Sequence, residues 1–91
     1  MTDIRIPPVL RPEAAGNRSV PVEASTVREA LDRLVAEYPA LGARVLADGA
    51  LPSFLNVFVD GDDVRLLNGL DTEVAATSTI LLLPAVAGGR G

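Results

Sequence analysis

The segment between Ser25 and Pro39 most constrains the fold, because it has the one long helical repeat of the sequence. Thr26 and Glu29 predict a capping box, in which the Thr26 hydroxyl accepts from the amide of Glu29 and the carboxylate reaches back to the amide of Thr26. Pro39 disfavours helical geometry at the residue before it and ends the helix there. The helix must therefore bury one apolar stripe against another layer. That stripe consists of Val27, Ala30, Leu31, Leu34, Val35 and Tyr38.

Two short strand patterns precede this helix. Ile4 and Ile6 alternate with charged residues, and the segment 19–24 alternates again through its valines. Together they predict an N-terminal hairpin with a long connection. Pro7-Pro8 interrupts the first strand, which therefore either bulges or continues along a sheet edge. Residues 11–18 are predicted to be a loop.

The second half of the chain is predicted to hold a weak helical turn and three further strands. Asp-Gly in the turn at 60–63 supplies the positive φ of a tight hairpin. The acidic residues of this turn lack the spacing and the final Glu of a calcium-binding loop, so a turn is favoured over a metal site. The unbroken apolar run 80–83 predicts a strand that is buried on both faces at the centre of a sheet. These elements occupy residues 41–46, 54–59, 64–67 and 79–84.

The order strand–strand–helix–strand–strand–strand predicts an α+β fold of the β-grasp type, a mixed sheet curled around one main helix. The helical stripe would pack against apolar residues of the strands, and burial at roughly 25 cal/mol per Å² suffices for a marginally stable domain. The predicted strand contribution to this core is Ile4, Ile6, Val20, Val57, Val59 and the run 80–83.

Composition excludes several classes of function. The 91 residues carry a net charge of −4, and all eight basic residues are arginine. An acidic domain without a basic stripe is not expected to bind nucleic acid or anionic membranes. No apolar run is long enough to span a bilayer, and the N-terminus lacks the pattern of a signal peptide, so a cytoplasmic protein is expected. Without Cys or His, the chain has no thiol nucleophile and no imidazole base.

The chain ends in LLLPAVAGGRG, where an apolar strand runs into small residues with no large side chain to anchor them. We therefore divide the chain into a domain over residues 1–84 and a flexible tail over residues 85–91. If the protein takes part in chemistry, another protein must supply the catalyst, and the tail is the part that can reach it.

Two stretches resemble the ubiquitin-like sulfur carriers of the ThiS/MoaD family. They are FLNVFVDGDDVRLLNGLDTEV at 54–74 and ILLLPAVAGG at 80–89. The resemblance extends over essentially the whole chain, including IRIPPVLRP at 4–12. Its most specific part is LPAVAGG at 83–89, which is similar to the CysO-like branch associated with cysteine biosynthesis.

The resemblance implies a protein cosubstrate, not an enzyme, with no bound cofactor or metal. An activating enzyme resembling the ubiquitin-activating enzymes would use ATP to adenylate Gly89, and sulfur from a sulfur source would replace AMP to give a thiocarboxylate. Gly88 and Gly89 lack a Cβ, which permits close approach in a narrow channel. Phe54 and Phe58 are candidates for docking the enzyme, or are ordinary sheet residues. The tail expected to enter partner active sites is Leu83, Pro84, Ala85, Val86, Ala87, Gly88 and Gly89.

Arg90 and Gly91 depart from the family pattern, because they hold the Gly89 carboxyl group in a peptide bond. We expect a metalloprotease of the JAMM type to remove these two residues. In the alternative, they are a remnant, and Gly91 is the activated end or no end is activated.

Three functions of such a chain remain open. The thiocarboxylate would most simply feed a cysteine synthase that uses pyridoxal phosphate, but thiamin, molybdopterin or a secondary metabolite are further destinations. The chain could instead be a stable subunit of a synthase. It could also be a protein modifier that joins lysines of other proteins. Because it has no lysine, it would not form chains on its own side chains.

Overall fold

A computed structural model of the protein describes residues 1–46 and 49–84. The predicted order of strands and main helix is confirmed, and 3₁₀ turns occupy several of the connections. The strands are β1 (Thr2–Arg5), β2 (Ser19–Val22), β3 (Leu55–Val59), β4 (Asp62–Asp63) and β5 (Thr79–Pro84), and the helices are α1 (Val27–Glu37) and α2 (Gly42–Val45).

The five strands form one mixed sheet in the order β2-β1-β5-β3-β4. β5 is central and pairs in parallel with β1 and antiparallel with β3. The N-terminal hairpin pairs Ile4 with Val20. α1 packs across one face of this sheet, and its buried stripe joins a single apolar core with the strands. The arrangement confirms the predicted β-grasp fold.

The core contains the predicted helical and strand residues. Val27, Ala30, Leu31 and Leu34 have no exposed surface. The stripe ends at the margin of the core, where Val35 and Tyr38 are only partly buried. The sheet side of the core consists mainly of Ile4, Ile6, Val20, Val22, Leu55, Val57, Val59, Ile80 and Leu82.

At the start of α1, one of the two predicted capping hydrogen bonds is confirmed. The Thr26 hydroxyl accepts a hydrogen bond from the Glu29 amide at 3.2 Å, as predicted. The Glu29 carboxylate, however, accepts from the amide of Ser25 at 2.7 Å and from its hydroxyl at 3.1 Å, not from the Thr26 amide. Ser25 offers two hydrogen-bond donors, its amide and its hydroxyl, which explains why the Glu29 carboxylate binds Ser25 and not Thr26.

The predicted burial of β5 on both faces is wrong. Ile80 and Leu82 are fully buried, but Leu81 is 37% exposed and Leu83 is 42% exposed. A β-strand sends alternate side chains to opposite faces of its sheet. Among the residues that the structure describes, the helical layer covers one of these faces, so the side chains on the other face meet solvent.

Two further predictions are corrected by local structure. Residues 8–14 form a 3₁₀ helix, where a loop was predicted from residue 11, and β1 ends at Arg5 without a bulge or an edge continuation. Pro7 has no amide hydrogen, so it cannot extend the pairing of β1. The alternation of charged and apolar residues predicted the strand correctly, but it did not predict the 3₁₀ helix that follows.

The predicted strand at 64–67 is a 3₁₀ turn over Val64–Leu66 instead, and β4 is the preceding pair of residues. The Asp63 carboxylate accepts from the Arg65 amide at 2.9 Å and caps this turn, which stops the strand. The tight turn before it is confirmed, with Asp60 at φ 51° and Gly61 at φ 93°.

Candidate functional site

The face of the sheet turned away from α1 is the candidate interaction surface, and we call it the outer face. It is formed by Arg5, Asn56, Phe58, Leu81 and Leu83. Arg5 and Phe58 pair with Leu81 from its two sides, and Asn56 pairs with Leu83. Three of these five side chains are apolar and they are adjacent on the two central strands. The outer face therefore presents an apolar centre next to the end of β5.

The two predicted docking residues lie in different positions. Phe58 is half-buried on the outer face, beside Leu81. Phe54 is 49% exposed and directly precedes β3. Because Leu55 pairs with Pro84, Phe54 lies near the end of β5. The docking role of both residues remains a prediction.

Most of the predicted tail lies outside the described residues. Leu83 and Pro84 are the last two residues of β5 and pair with the start of β3. The remaining tail residues are Ala85, Val86, Ala87, Gly88, Gly89, Arg90 and Gly91, and nothing described by the structure tests their assigned roles.

Arg65 supports the point where the tail begins, and the sequence pattern did not reveal this. Its guanidinium donates to the Asn56 side chain at 3.0 Å and to the Leu55 carbonyl at 2.9 Å. A longer bond of 3.3 Å joins it to the Pro52 carbonyl. These bonds hold the start of β3 against the turn that follows β4. The sequence predicted a strand at 64–67, and no local signal pointed to this role of Arg65.

The described part of the outer face offers an apolar surface beside the last residues of β5. No group of three or more His, Cys, Asp or Glu residues able to hold a metal ion occurs in residues 1–46 and 49–84. The pKa of Glu29 is lowered, mainly by its hydrogen bonds from Ser25, but this residue lies at the start of α1 and away from the outer face. A strand that ends beside an apolar surface can present a C-terminal segment to another protein.

The β-grasp fold and a C-terminal segment that leaves from its central strand define a ubiquitin-like protein. The chain belongs to the ThiS family of ubiquitin-like sulfur carriers, whose family model matches residues 4–89. Proteins of this class are small carriers rather than enzymes.

Individual relatives support this assignment over nearly the full chain. The sulfur carrier protein CysO of Mycobacterium tuberculosis is 36% identical over 89 residues, which cover 94% of this chain and 96% of CysO. The crystal structure of the Amycolatopsis orientalis BexX/CysO complex contains a chain that matches with a TM-score of 0.92 at 37% identity. That match covers 98% of this chain and 100% of the matched chain.

A relative that is named as a protein modifier, and not as a sulfur carrier, is also similar. Small archaeal modifier protein 1 of Haloferax volcanii is 40% identical over 81 residues, which cover 85% of this chain and 88% of that protein. The family resemblance predicted from the sequence is thus confirmed, including its CysO-like character. In the described part of the chain, no helix combines the length and the apolar character that crossing a membrane requires.

Proposed function

We propose that the protein carries sulfur as a thiocarboxylate on the carboxyl carbon of Gly89 and donates it in cysteine biosynthesis. The observation that carries this proposal is the similarity to the sulfur carrier CysO over 94% of the chain. The terminal glycine pair of the tail is within the region that the family model matches. The protein then acts as a cosubstrate of other enzymes.

The chemistry of the proposed cycle requires a free carboxylate at Gly89. In an adenylating partner, this carboxylate attacks the α-phosphorus of ATP, and pyrophosphate leaves. A sulfide equivalent then attacks the acyl carbon, the bond to AMP breaks, and the thiocarboxylate remains on the carrier. A cysteine synthase of the pyridoxal-phosphate type would accept this sulfur. The carrier contributes a positioned chain end, and the partners supply every catalytic group.

The position of β5 supports this role mechanically. At its start β5 pairs with both β1 and β3, and its last residues pair with the start of β3, so the strand that leads into the tail is anchored in the sheet. The segment from Ala85 to Gly89, whose last carboxyl carbon would carry the sulfur, has five residues. Fully extended, they would span at most about 17 Å, enough to enter a partner's active site.

We propose that Arg90 and Gly91 are removed by a metalloprotease of the JAMM type before activation. As encoded, the Gly89 carboxyl group is part of a peptide bond, so it has no free carboxylate that could attack ATP. Cleavage at this position would expose the carboxylate. Chain termini are places where proteolysis is easily tolerated.

The proposed docking surface for the activating enzyme is the apolar centre of the outer face together with Phe54. Leu81 and Leu83 are substantially exposed, and Phe58 lies beside Leu81. Contiguous exposed apolar side chains commonly mark protein interaction sites. A partner seated here would lie next to the end of β5 and would receive the tail directly.

The second candidate function is that of a protein modifier. The similarity to small archaeal modifier protein 1 favours it. A modifier would use the same adenylation but would transfer Gly89 to a lysine of another protein. Since every basic residue of this chain is arginine, it would not extend into chains through its own side chains.

Intact mass spectrometry tests the proposal. The full chain, a chain ending at Gly89 and a control chain ending at Gly88 are incubated with a cognate activating enzyme, ATP and sulfide, with and without the protease. We expect the chain ending at Gly89 to gain the mass of an oxygen-to-sulfur exchange. The full chain should do so only after loss of Arg90-Gly91, and the control should remain unchanged.

Other outcomes would contradict specific parts of the proposal. Activation of the full chain without loss of two residues would refute the processing step. No mass gain on the Gly89 chain, with an enzyme that activates its own standard carrier, would refute the sulfur-carrier function. Adducts to lysines of other proteins in place of the thiocarboxylate would establish the modifier function.

A further inference from the structure

A cleft of about 300 Å³ opens where β1 separates from β5. The two strands pair only as far as Arg5 and Leu81. The chain then turns away at Pro7, which has no amide hydrogen with which to continue the pairing. The cleft therefore lies beside the last residues of β5, immediately before the tail. Its apolar lining includes Pro8 and Leu83.

Three arginines surround this opening, and we call it the arginine cleft. Arg5 forms an ion pair with Asp3 at 3.4 Å, but the Arg5 side chain is 62% exposed and the Asp3 side chain 36% exposed, so the pair is weak. Arg11 donates through Nε to the Ile6 carbonyl at 3.0 Å, and its terminal nitrogens have no hydrogen-bond partner in the described residues. Arg18 is exposed, and its guanidinium has no hydrogen bond or ion pair in the same part of the chain.

Two other arginines of the protein are engaged in internal contacts. Arg28 donates to the Gly49 carbonyl and pairs with Asp71, and Arg65 makes the bonds to the start of β3 described above. By contrast, the residues that line the arginine cleft include three arginines and no Asp or Glu. On a protein of net charge −4, this concentration inverts the local charge beside the tail.

We propose that the arginine cleft binds an acidic segment of the protein that receives the tail. This inference rests on the proposed function, since it assigns a second contact to the same partner. Guanidinium groups bind carboxylates through paired, charge-assisted hydrogen bonds. Glu or Asp side chains of the segment would contact Arg5, Arg11 and Arg18, and an apolar side chain would pack on Pro8 and Leu83. The partner would thereby hold both sides of the strand that delivers the tail.

The chemistry favours an acidic protein segment over a nucleic acid. Three arginines neutralise few phosphates, and the remaining surface of an acidic protein repels a polyanion. A short acidic segment requires only a local positive patch. Its apolar residues also match the proline and leucine side chains of the cleft, which a phosphate backbone does not.

A double charge reversal, Arg5→Glu with Arg18→Glu, tests the proposal in the chain that ends at Gly89. The matched control, Arg33→Glu with Arg44→Glu, changes the net charge equally at two exposed positions outside the cleft. The dissociation constant for the activating enzyme is measured by calorimetry at low and high salt. We expect the cleft variant to bind at least about tenfold more weakly at low salt, with a much smaller salt dependence, and the control to change by about twofold or less.

The neutral variant Arg5→Gln with Arg18→Gln should give an intermediate affinity, which excludes an effect of introduced repulsion alone. Equal weakening of the cleft variant and its control would overturn the proposal, while adenylation of both would leave the sulfur-carrier function intact.

A second measurement decides the proposal even if the Gly89 chain is not adenylated. The ¹⁵N-labelled protein is titrated with a synthetic peptide of alternating Glu and Leu and, separately, with a single-stranded oligonucleotide. We expect peptide-induced shifts at residues 5, 6, 18 and 81–83 that disappear in the cleft variant. Absent or scattered shifts, or a stronger response to the oligonucleotide, would overturn the proposal.

Discussion

At the start of α1, the Glu29 carboxylate accepts hydrogen bonds from the backbone amide and the hydroxyl of Ser25. These two bonds, the backbone one foremost, hold the pKa of Glu29 below its ordinary value of 4.5, and the positive charge of Arg33 contributes in the same direction. The ionised form is stabilised because it is the better acceptor. One exposed side chain thus links the start of the helix to the loop before it.

The substitution Glu29→Gln is expected to reduce stability at neutral pH more than at acidic pH. Since the folded-state pKa is lowered, the contribution of the carboxylate is present above its unfolded-state pKa and is lost as the pH falls through the folded-state value. The stability difference between wild type and variant should therefore shrink below about pH 4.5. Urea unfolding near neutral pH and at about pH 3 measures this difference.

Glu37→Gln, an exposed glutamate at the other end of α1, serves as the control for removing one surface carboxylate. If the stability difference between wild type and Glu29→Gln stayed constant across the pH range, the hydrogen bonds from Ser25 would not favour the ionised carboxylate.

At the scale of the element, β5 has two chemically different faces. Leu82 points into the core with no exposed surface, whereas Leu81 points to the outer face. The two residues are adjacent in the sequence and identical in type, which makes them a matched pair. Their difference comes only from the side of the sheet on which they lie.

We expect Leu82→Ala to destabilise the fold by about 2–5 kcal/mol, the usual range for a fully buried leucine. Leu81→Ala should cost about 1 kcal/mol or less, because its side chain is already partly in water. Urea unfolding of both variants gives the comparison. Equal losses of stability would show that the outer face is covered in the folded protein.

At the scale of the whole molecule, the proposed reactive end follows the described core in the sequence. Within the described residues, the buried apolar cluster extends from Ile4 to Leu82, and the predicted tail begins three residues later, at residue 85. This separation is expected of a carrier whose end must enter other proteins while its domain stays folded.

Deletion of residues 85–91 should therefore leave the free energy of unfolding unchanged to within about 0.5 kcal/mol, while abolishing activation by the adenylating enzyme. Thermal and urea unfolding of the shortened and full chains measure the first effect, and the mass assay measures the second. A large loss of stability would show that the division at residue 84 is wrong.

Much of the fold could be predicted because its signals are local. The capping residues, the apolar period of α1 and Pro39 are contiguous features, and they determine where the main helix begins and ends. The alternation in β1 and β2 and the Asp-Gly turn determine the strands in the same way. The order of these elements then leaves few arrangements of a sheet around one helix, so the β-grasp fold was accessible from the sequence.

The candidate site was harder to predict from the sequence than the fold, because it depends on which distant segments of the chain come together. The glycine tail was visible in the sequence, but its predicted roles lie on residues that the structure does not describe. The exposure of Leu81 and Leu83 was missed, since an apolar run cannot reveal how many layers cover its sheet. Arg65 was missed because its partners lie 9 to 13 residues away along the chain.

The sequence by itself determined the main helix, most of the strands, their order and the chemical character of the C-terminal segment, because these follow from neighbouring residues. Only the tertiary structure decided that one face of β5 is open and that Arg5, Arg11 and Arg18 surround one cleft. The physical reason is that exposure and charge clustering depend on the pairing of distant strands and on where Pro7 ends that pairing.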